Sequence, residues 1–505
     1  EGLKWSDGDP FDAEDLLCWW VDYKMHPAFN PDQVPPPEWA PGGKAMEVVK
    51  IDDYTVEYRF AAPYPMALNV ITSWNGMPGR LFLPSHKIRE LHKDYNPDAD
   101  KAAKELGYET WVDAVNGFAN LMWPGSDPKG LLPTLGMWRQ SVVTTTEIIF
   151  ERNPYYWAVD TEGNQLPYID SVKAEIVPDN EVYVVNVMQG KYDYGKVFAD
   201  KIELMKANED KGNYRILLYT GDIVSSPAYA FNQNHKDEIL RAIFQDVRFR
   251  RAMSVAINRE EINDLVYDGY GTPTQATVNK SASFYDPKWG EAWAQYDPEL
   301  ANKLLDEMGL DRRDKDNCRL RPDGKVLEFI INANDKASEL VRDYWRAVGV
   351  KVELNPIDVN LYWTRAAAGE LDLGTWGIDN SVEIKVFQSV SKFWMGTGDF
   401  GYAVDWVKWH DTQGAEGVEP PDKVKEYFSN WDAIQSASGE EYLELAKKIF
   451  DFYAEEIYII GTVGYGLNAV YVSKNLHNVP EQMLFMDPTN WWLLARPDQW
   501  YLSEK

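Results

Sequence analysis

From Asp297 to Gly377 the chain alternates helical and extended segments without a break, and few folds accept such a run. "DPELANKLLDEMG" opens with an Asp in capping position, places Pro298 at the first helical position and stops on Gly309. The extended "VLEFIIN" follows, then the helical "DKASELVRDYWRAVG", the extended "VKVELN", the helical "DVNLYWTRAAAGE" and the extended "LDLGTWG". Strands separated by single short helices predict a parallel sheet with right-handed crossovers. Open parallel sheets bind ligands beyond the carboxyl ends of their strands. Trp376 ends the last strand of the run, with Asp379 and Asn380 close behind, and is the best-placed ligand contact in the chain. Asp379-Asn380 reads equally well as a plain turn.

Other elements carry local signatures. In "PFDAEDLLCWW", Asp12 caps, Asp15 stands three residues on, and Phe11 with Leu16 has the spacing of a hydrophobic staple. "VVKIDDYTVEYRF" predicts two strands joined at Asp52-Asp53. "DVRFRRAMSVAINREEINDLVYDGYG" predicts two consecutive helices, the second capped by Asn258 with Glu261 and the pair ended by Gly269 and Gly271. "SGEEYLELAKKIFDFYAEE" predicts an amphipathic helix capped by Ser438, with Leu445, Ile449, Phe452 and Tyr453 on its apolar side. At 505 residues the chain needs two or three domains. It begins with Glu1 rather than Met, which predicts a longer precursor from which any export signal is absent here.

The charge balance narrows the partners. With 51 basic and 80 acidic residues the formal net charge is −29, which repels phosphate backbones and anionic headgroups and argues against nucleic acid. No window approaches about 18 uninterrupted apolar residues. Cys18 and Cys318 are far apart in the chain and predict structural free thiols rather than a disulfide framework.

Catalytic and metal signatures do not emerge. Of the six histidines, His26, His86, His92, His235, His410 and His477, no two have helical metal-pair spacing and none flanks a Cys or Ser motif. GxSxG, the P-loop and GxGxxG after a strand are missing. "DRRDKDNCRLRPDG" imitates a calcium loop, but Arg319 stands where Gly is required and no Glu closes it, which predicts a solvated loop. The 80 acidic residues offer too many carboxylate pairs for one glycosidase pair to stand out. No catalytic residue, cofactor or metal is expected.

Aromatic residues make up 14% of the chain, and several sit at loop or strand ends beside polar residues. They are Trp74 with Asn75 in "SWNGMPG", Trp376 in "TWGIDN", Trp394 in "FWMGTG", and Trp491-Trp492 in "TNWW". Any one Trp taken alone is better explained by core packing. Together, flat rings beside amides and carboxylates suit a polar organic ligand such as a sugar or peptide.

"ERNPYYWAVDTEGNQLPYID" (Glu151–Asp170) is too stereotyped for an ordinary loop and carries no catalytic group. With "LKWSDGDPFDAEDLLCWW" and "FNQNHKDEILRAIFQDVRFRRAMSVAINREEI", it resembles the ordered motifs of the family 5 extracellular solute-binding proteins of ABC importers, the dipeptide/oligopeptide-binding group. The resemblance runs from Leu3 to about Pro480. It implies an α/β, two-lobed periplasmic-binding-protein type II fold with an additional inserted domain, cluster C like, and with an N-terminal segment missing. The expected division is residues 1–144 as the additional domain of the large lobe, 145–232 as lobe I continued by 465–505, and 233–464 as lobe II. The Glu151–Asp170 stretch is then architectural, its rings packing against the lobe and "DTEGNQLP" turning the chain.

The resemblance also implies a function. The lobes close over a captured ligand and present it to membrane permease subunits; no bond is broken, and the receptor is a monomer, periplasmic or extracellular, with or without a lipid anchor. The long "DTEGNQLPYID" form resembles the oligosaccharide-binding branch. An oligopeptide ligand is the alternative, because peptide-binding relatives carry an acidic residue where Asp379 stands. A secreted glycoside hydrolase is the reading from another class. Chain crossings expected near Tyr229–Asn234 and Gly461–Gly466 add Tyr229, Asn232 and Tyr465 as candidate contacts, or as plain hinge packing.

Overall fold

Asp12 caps the first helix as its sequence predicts. The computed structural model describes residues 2–72, 81–119, 132–379, 381–383, 385–388, 391–396, 398–485 and 494–503. Asp12 Oδ1 accepts from the Glu14 amide at 2.8 Å, and Asp15 Oδ2 accepts from the Asp12 amide at 3.1 Å, closing the capping box. Asp15 is buried and also accepts from Trp5 Nε1 at 3.0 Å and the Ser85 amide at 2.9 Å. Burial pushes its carboxyl above the usual range despite these bonds.

Contacts divide the chain into two compact units. One is Glu1–Val197, Lys201–Leu218 and Ala469–Lys505; the other is Phe198–Asp200 and Tyr219–Asn468. The first 144 residues thus fall in the first unit. There the hairpin Glu47–Asp52 and Thr55–Arg59 forms, with its turn at Asp53-Tyr54. The helices Ser85–Leu91, Ala99–Glu105 and Trp111–Ala119 close on a core that includes Trp19, Trp20, Trp39, Ile88 and Val115. Cys18 is buried in this core, and both cysteines are free. A three-stranded antiparallel sheet follows, with Trp138–Val143, Glu147–Arg152 and Ser171–Glu175 in that order.

The Glu151–Asp170 segment is tied down by its own polar groups. Asn153 is fully buried; its Nδ2 donates to Gly136 O at 2.9 Å and its Oδ1 accepts from the Tyr155 amide at 2.9 Å. Asp160 Oδ1 accepts the Glu162 and Asn164 amides, at 2.9 and 2.8 Å, an Asx-type turn that folds "DTEGN". Hydrogen bonds led by the Asn164 side chain hold the Asp160 carboxyl down at about 2. Gln165 Nε2 donates to both Pro154 O and Tyr156 O at 2.9 Å. The rings behave less uniformly than expected. Tyr156 packs with Met137, Ala158 and Leu166, but Trp157 is 68% exposed.

In the second unit every helix and strand of the Asp297–Gly377 run forms, but the sheet is not the one the alternation predicts. Glu328–Ile331 and Lys351–Leu354 pair in parallel. Leu373–Ile378 instead pairs antiparallel with the distant Ser225–Phe231, with Leu373 opposite Phe231 and Trp376 opposite Ala228. Gly374 permits this seat, because a Cβ there would lie 2.0 Å from Phe400 O. Tyr229 also exchanges backbone bonds of 2.9 and 2.8 Å with Ile460. The stretches Tyr229–Asn234 and Gly461–Gly466 both lie inside this unit.

The helices Val247–Val255 and Arg259–Tyr267 form as read, capped by Asp246 and Asn258. Ser438 occupies the cap position of Gly439–Glu456, but its hydroxyl makes no capping bond. The calcium-like loop is a further correction. Arg319 is fully buried and donates to Val348 O, Leu310 O, Asp306 Oδ1 and Asn302 Oδ1 at 2.6–2.8 Å, so it anchors the loop to the core. Among the described residues no helix is long and apolar enough to cross a membrane.

Candidate functional site

The strand pair Ser225–Phe231 and Leu373–Ile378 supplies the floor of a cavity of about 430 Å3 within the second unit. Ser226 and Pro227 come from one strand and Thr375, Trp376 and Gly377 from the other. Asn332 and Ala333 follow the carboxyl end of strand Glu328–Ile331, and Asp335 caps the helix Lys336–Ala347. Val359 and Tyr362 enter from the helix Val359–Ala367, and Tyr267 from the end of Arg259–Tyr267. The cavity therefore lies at the carboxyl ends of Glu328–Ile331 and Leu373–Ile378, where ligands of such sheets bind, but at the amino end of Ser225–Phe231, which runs antiparallel to Leu373–Ile378.

The wall is aromatic and its polar groups are fixed. Trp376 is half-buried and stacks on Tyr362 with centroids 5.8 Å apart and planes 28° apart. Tyr362 is locked by its hydroxyl, which accepts from the Thr375 amide at 2.8 Å and donates to Asp399 O at 2.7 Å. Tyr267 donates to Ser226 O at 2.6 Å, and Tyr465 stacks on it at 5.2 Å and 27°. The Tyr465 hydroxyl is buried and makes no hydrogen bond among the described residues, and burial pushes its pKa to about 12. An unsatisfied buried hydroxyl costs on the order of 1–3 kcal/mol, which a ligand or water would relieve.

Asp379 does not present an uncommitted charge. The Lys392 ammonium, on a residue only 5% exposed, sits 3.0 Å from Asp379 Oδ1 and also contacts Asp399 Oδ2. Burial disfavours this ammonium, but the two carboxylates outweigh burial and hold it above the ordinary lysine range. The only sequence signal for Lys392 is a lone cation in the apolar "KFWM". Tyr362, Tyr267 and Asp335 were equally unmarked, since each reads as an ordinary helix or cap residue.

The remaining sequence candidates separate. Tyr229 is fully buried beneath the cavity, its hydroxyl 3.0 Å from Ser338 Oγ, which in turn donates to Asp335 Oδ2 at 2.6 Å. Asn232 is buried and spends its Nδ2 on Gly369 O and Leu371 O at 2.9 and 2.8 Å. Both are buried, and neither lines this cavity. Trp394 packs away from the cavity against Trp431 and His410, at 5.3 and 5.7 Å. Trp74, Asn75, Asn380 and Trp491 lie outside the described residues.

The histidines show what tertiary structure adds. One nitrogen each of His26 and His92 and a carboxylate oxygen of Asp94 lie within 4.8 Å of one another, although the sequence shows no metal pair. The ring chemistry is poor for a metal. His26 Nδ1 accepts the Ala28 amide and His92 Nδ1 the Asp94 amide, each at 3.2 Å, so in the neutral rings the proton sits on Nε2 and no lone pair is left over.

His410 lies between Asp411 and Asp432, at 2.9 and 3.0 Å. Burial opposes its charge, but the two carboxylates raise its pKa to about 9. The folded state then keeps a proton that the unfolded chain releases near about 6.5. This stabilisation is whole below that pH and is lost as pH rises through about 9. His410→Gln should flatten the fall of the denaturation midpoint across that window; a profile parallel to the parent's would refute the linkage.

The comparisons with known proteins agree with this architecture. Residues 1–391 match the family described as bacterial extracellular solute-binding proteins, family 5 Middle. The periplasmic alpha-galactoside-binding protein of Rhizobium meliloti (strain 1021) is 27% identical over 506 aligned residues, covering 95% of this chain and 68% of that protein. A solved oligopeptide-binding protein OppA is 33% identical with a TM-score of 0.64, covering 100% of this chain and 82% of its own. The periplasmic binding protein MelB of Agrobacterium fabrum C58, solved with stachyose, is 22% identical with a TM-score of 0.75, covering 100% and 74%. The chain spans between 56% and 68% of the length of three curated relatives. A family match over residues 1–391 of 505, carried by a fold shared along the whole chain, means that the chain belongs to the bacterial extracellular solute-binding proteins, family 5.

Proposed function

We propose that the chain is the ligand-capturing component of an ABC importer, working outside the cytoplasmic membrane with membrane permease subunits, and that its ligand is an oligosaccharide released unchanged. The observation that carries the sugar reading is the Trp376 wall beside an Asp379 already paired with buried Lys392. Aromatic faces cover the apolar face of a pyranose, while amides and hydroxyls take its hydrogen bonds. A peptide ammonium at Asp379 would share a carboxylate whose charge already balances the buried Lys392 ammonium. The alpha-galactoside-binding relative supports the same reading.

An oligopeptide ligand is the second reading, favoured by the 33% identity to the oligopeptide-binding protein OppA. Thermal-shift and calorimetric titration separates the two. α- and β-linked oligosaccharides are compared with di- to pentapeptides, and a chromogenic glycoside tests for hydrolysis. A true ligand at a hundred times its Kd adds about 2.7 kcal/mol of stability. Saccharides should raise the midpoint and peptides should not. Stabilisation by peptides alone, or turnover of the glycoside, would replace the proposal.

A further inference from the structure

Trp363 is 41% exposed, an unusual position for the largest apolar side chain on a helix whose buried face is already filled by Tyr362 and Ala366. Its one ring neighbour among the described residues is Trp376, with centroids 5.5 Å apart and planes 46° apart. It stands one helical turn after Val359, which lines the cavity and is 43% exposed. Its indole N–H makes no hydrogen bond among the described residues and is available to an acceptor. The helix thus holds a large ring at the rim of the Trp376 cavity, in contact with the cavity wall and outside the core.

We propose that Trp363 is a second stacking subsite, which makes the site selective for extended saccharides over single rings; this rests on the oligosaccharide reading above. Two indoles inclined by 46° do not lie flat on one sugar ring. They offer platforms for two consecutive rings of a chain that bends at the linkage. Trp376 holds the ring inside the cavity, and Trp363 holds the next ring at its mouth with its N–H directed to a hydroxyl or ring oxygen. A peptide backbone has no pair of flat apolar faces in succession, so the arrangement favours a glycan.

The test is calorimetric titration of the full chain with methyl α-galactoside, melibiose and stachyose, which share a terminal α-galactosyl unit and increase in length. The parent should bind stachyose more tightly than the single-ring glycoside. Trp363→Ala should lose about tenfold or more for stachyose and less than about threefold for methyl α-galactoside, closing the gap between them. Trp363→Phe, which keeps a ring, should recover most of the affinity for stachyose and guards against a folding defect in the Ala variant. If the parent prefers stachyose and both variants retain that preference, Trp363 is not a subsite, while the oligosaccharide reading stands. If the parent binds none of the three but binds peptides, the oligosaccharide reading fails and the subsite with it.

Discussion

Trp376→Ala should weaken oligosaccharide binding by on the order of 2 kcal/mol or more, about thirtyfold. The ring is half-buried, held by Tyr362 behind it, and forms the wall of the cavity rather than the centre of a core cluster. Fixed aromatic anchors in largely desolvated pockets dominate binding, because little conformational entropy remains to be lost on contact. Trp376→Leu is the sharper control. It keeps an apolar side chain but removes the flat face, so most of the loss should persist if stacking is the interaction. Asp379→Asn should cost much less for a neutral sugar, since the Lys392 ammonium keeps Asp399 as a partner. For a peptide the same change would remove a charge-assisted pair. If Trp376→Ala binds oligosaccharide as the parent does, while Asp379→Asn destroys peptide binding, the ligand is a peptide.

Arg259→Met should destabilise the second unit by on the order of 3–5 kcal/mol, measured by urea denaturation at neutral pH. Arg259 is only 3% exposed, and its guanidinium donates to Gly461 O at 3.0 Å, Ser254 O at 3.0 Å, Ala294 O at 2.9 Å and Ser254 Oγ at 2.8 Å. One side chain thereby ties the start of its own helix to the turn before it, to the loop at Ala294 and to the chain at Gly461. Methionine fills similar volume but removes the donor from the Gly461 and Ala294 carbonyls, while Ser254 O keeps the Ile257 amide and Ser254 Oγ keeps Gln275 Nε2. Each unpaired buried acceptor costs on the order of 1–3 kcal/mol before relaxation. A loss below about 1 kcal/mol would mean that water or a backbone shift satisfies the acceptors, and the guanidinium would then not be the tie.

Much of the local structure was legible because its causes are local. Asp12 with Asp15, and Asn258 with Glu261, cap helices through atoms a few residues apart, so spacing alone exposes them. Pro298 and Gly309 bound their helix for the same reason, a fixed φ at one end and a positive φ of 79° at the other. The placement of Trp376 at a strand end was legible too, because strand and helix periods differ. The partner of that strand was not. Alternation says that Leu373–Ile378 is extended and half-buried, but its hydrogen bonds go to Ser225–Phe231, more than a hundred residues earlier, and no periodicity encodes such a pairing.

Charge and burial divide in the same way. The residue types of the site, a Trp beside an Asp, were visible in "TWGIDN". Asp379's pairing with buried Lys392, the committed amide of Asn232 and the burial of the Tyr229 hydroxyl on Ser338 depend on where other segments pass. Arg259 looked like any cation in a capped helix, and Arg319 like part of a solvated loop; both guanidiniums are enclosed by carbonyls contributed from distant segments. Helix ends, turns and the aromatic character of the site were therefore properties of the sequence by itself, since short-range sterics and hydrogen bonds decide them. Which strand pairs with which, which charge is already neutralised and which ring lines the cavity were decided only by tertiary structure, because each depends on residues that the chain brings together from far apart.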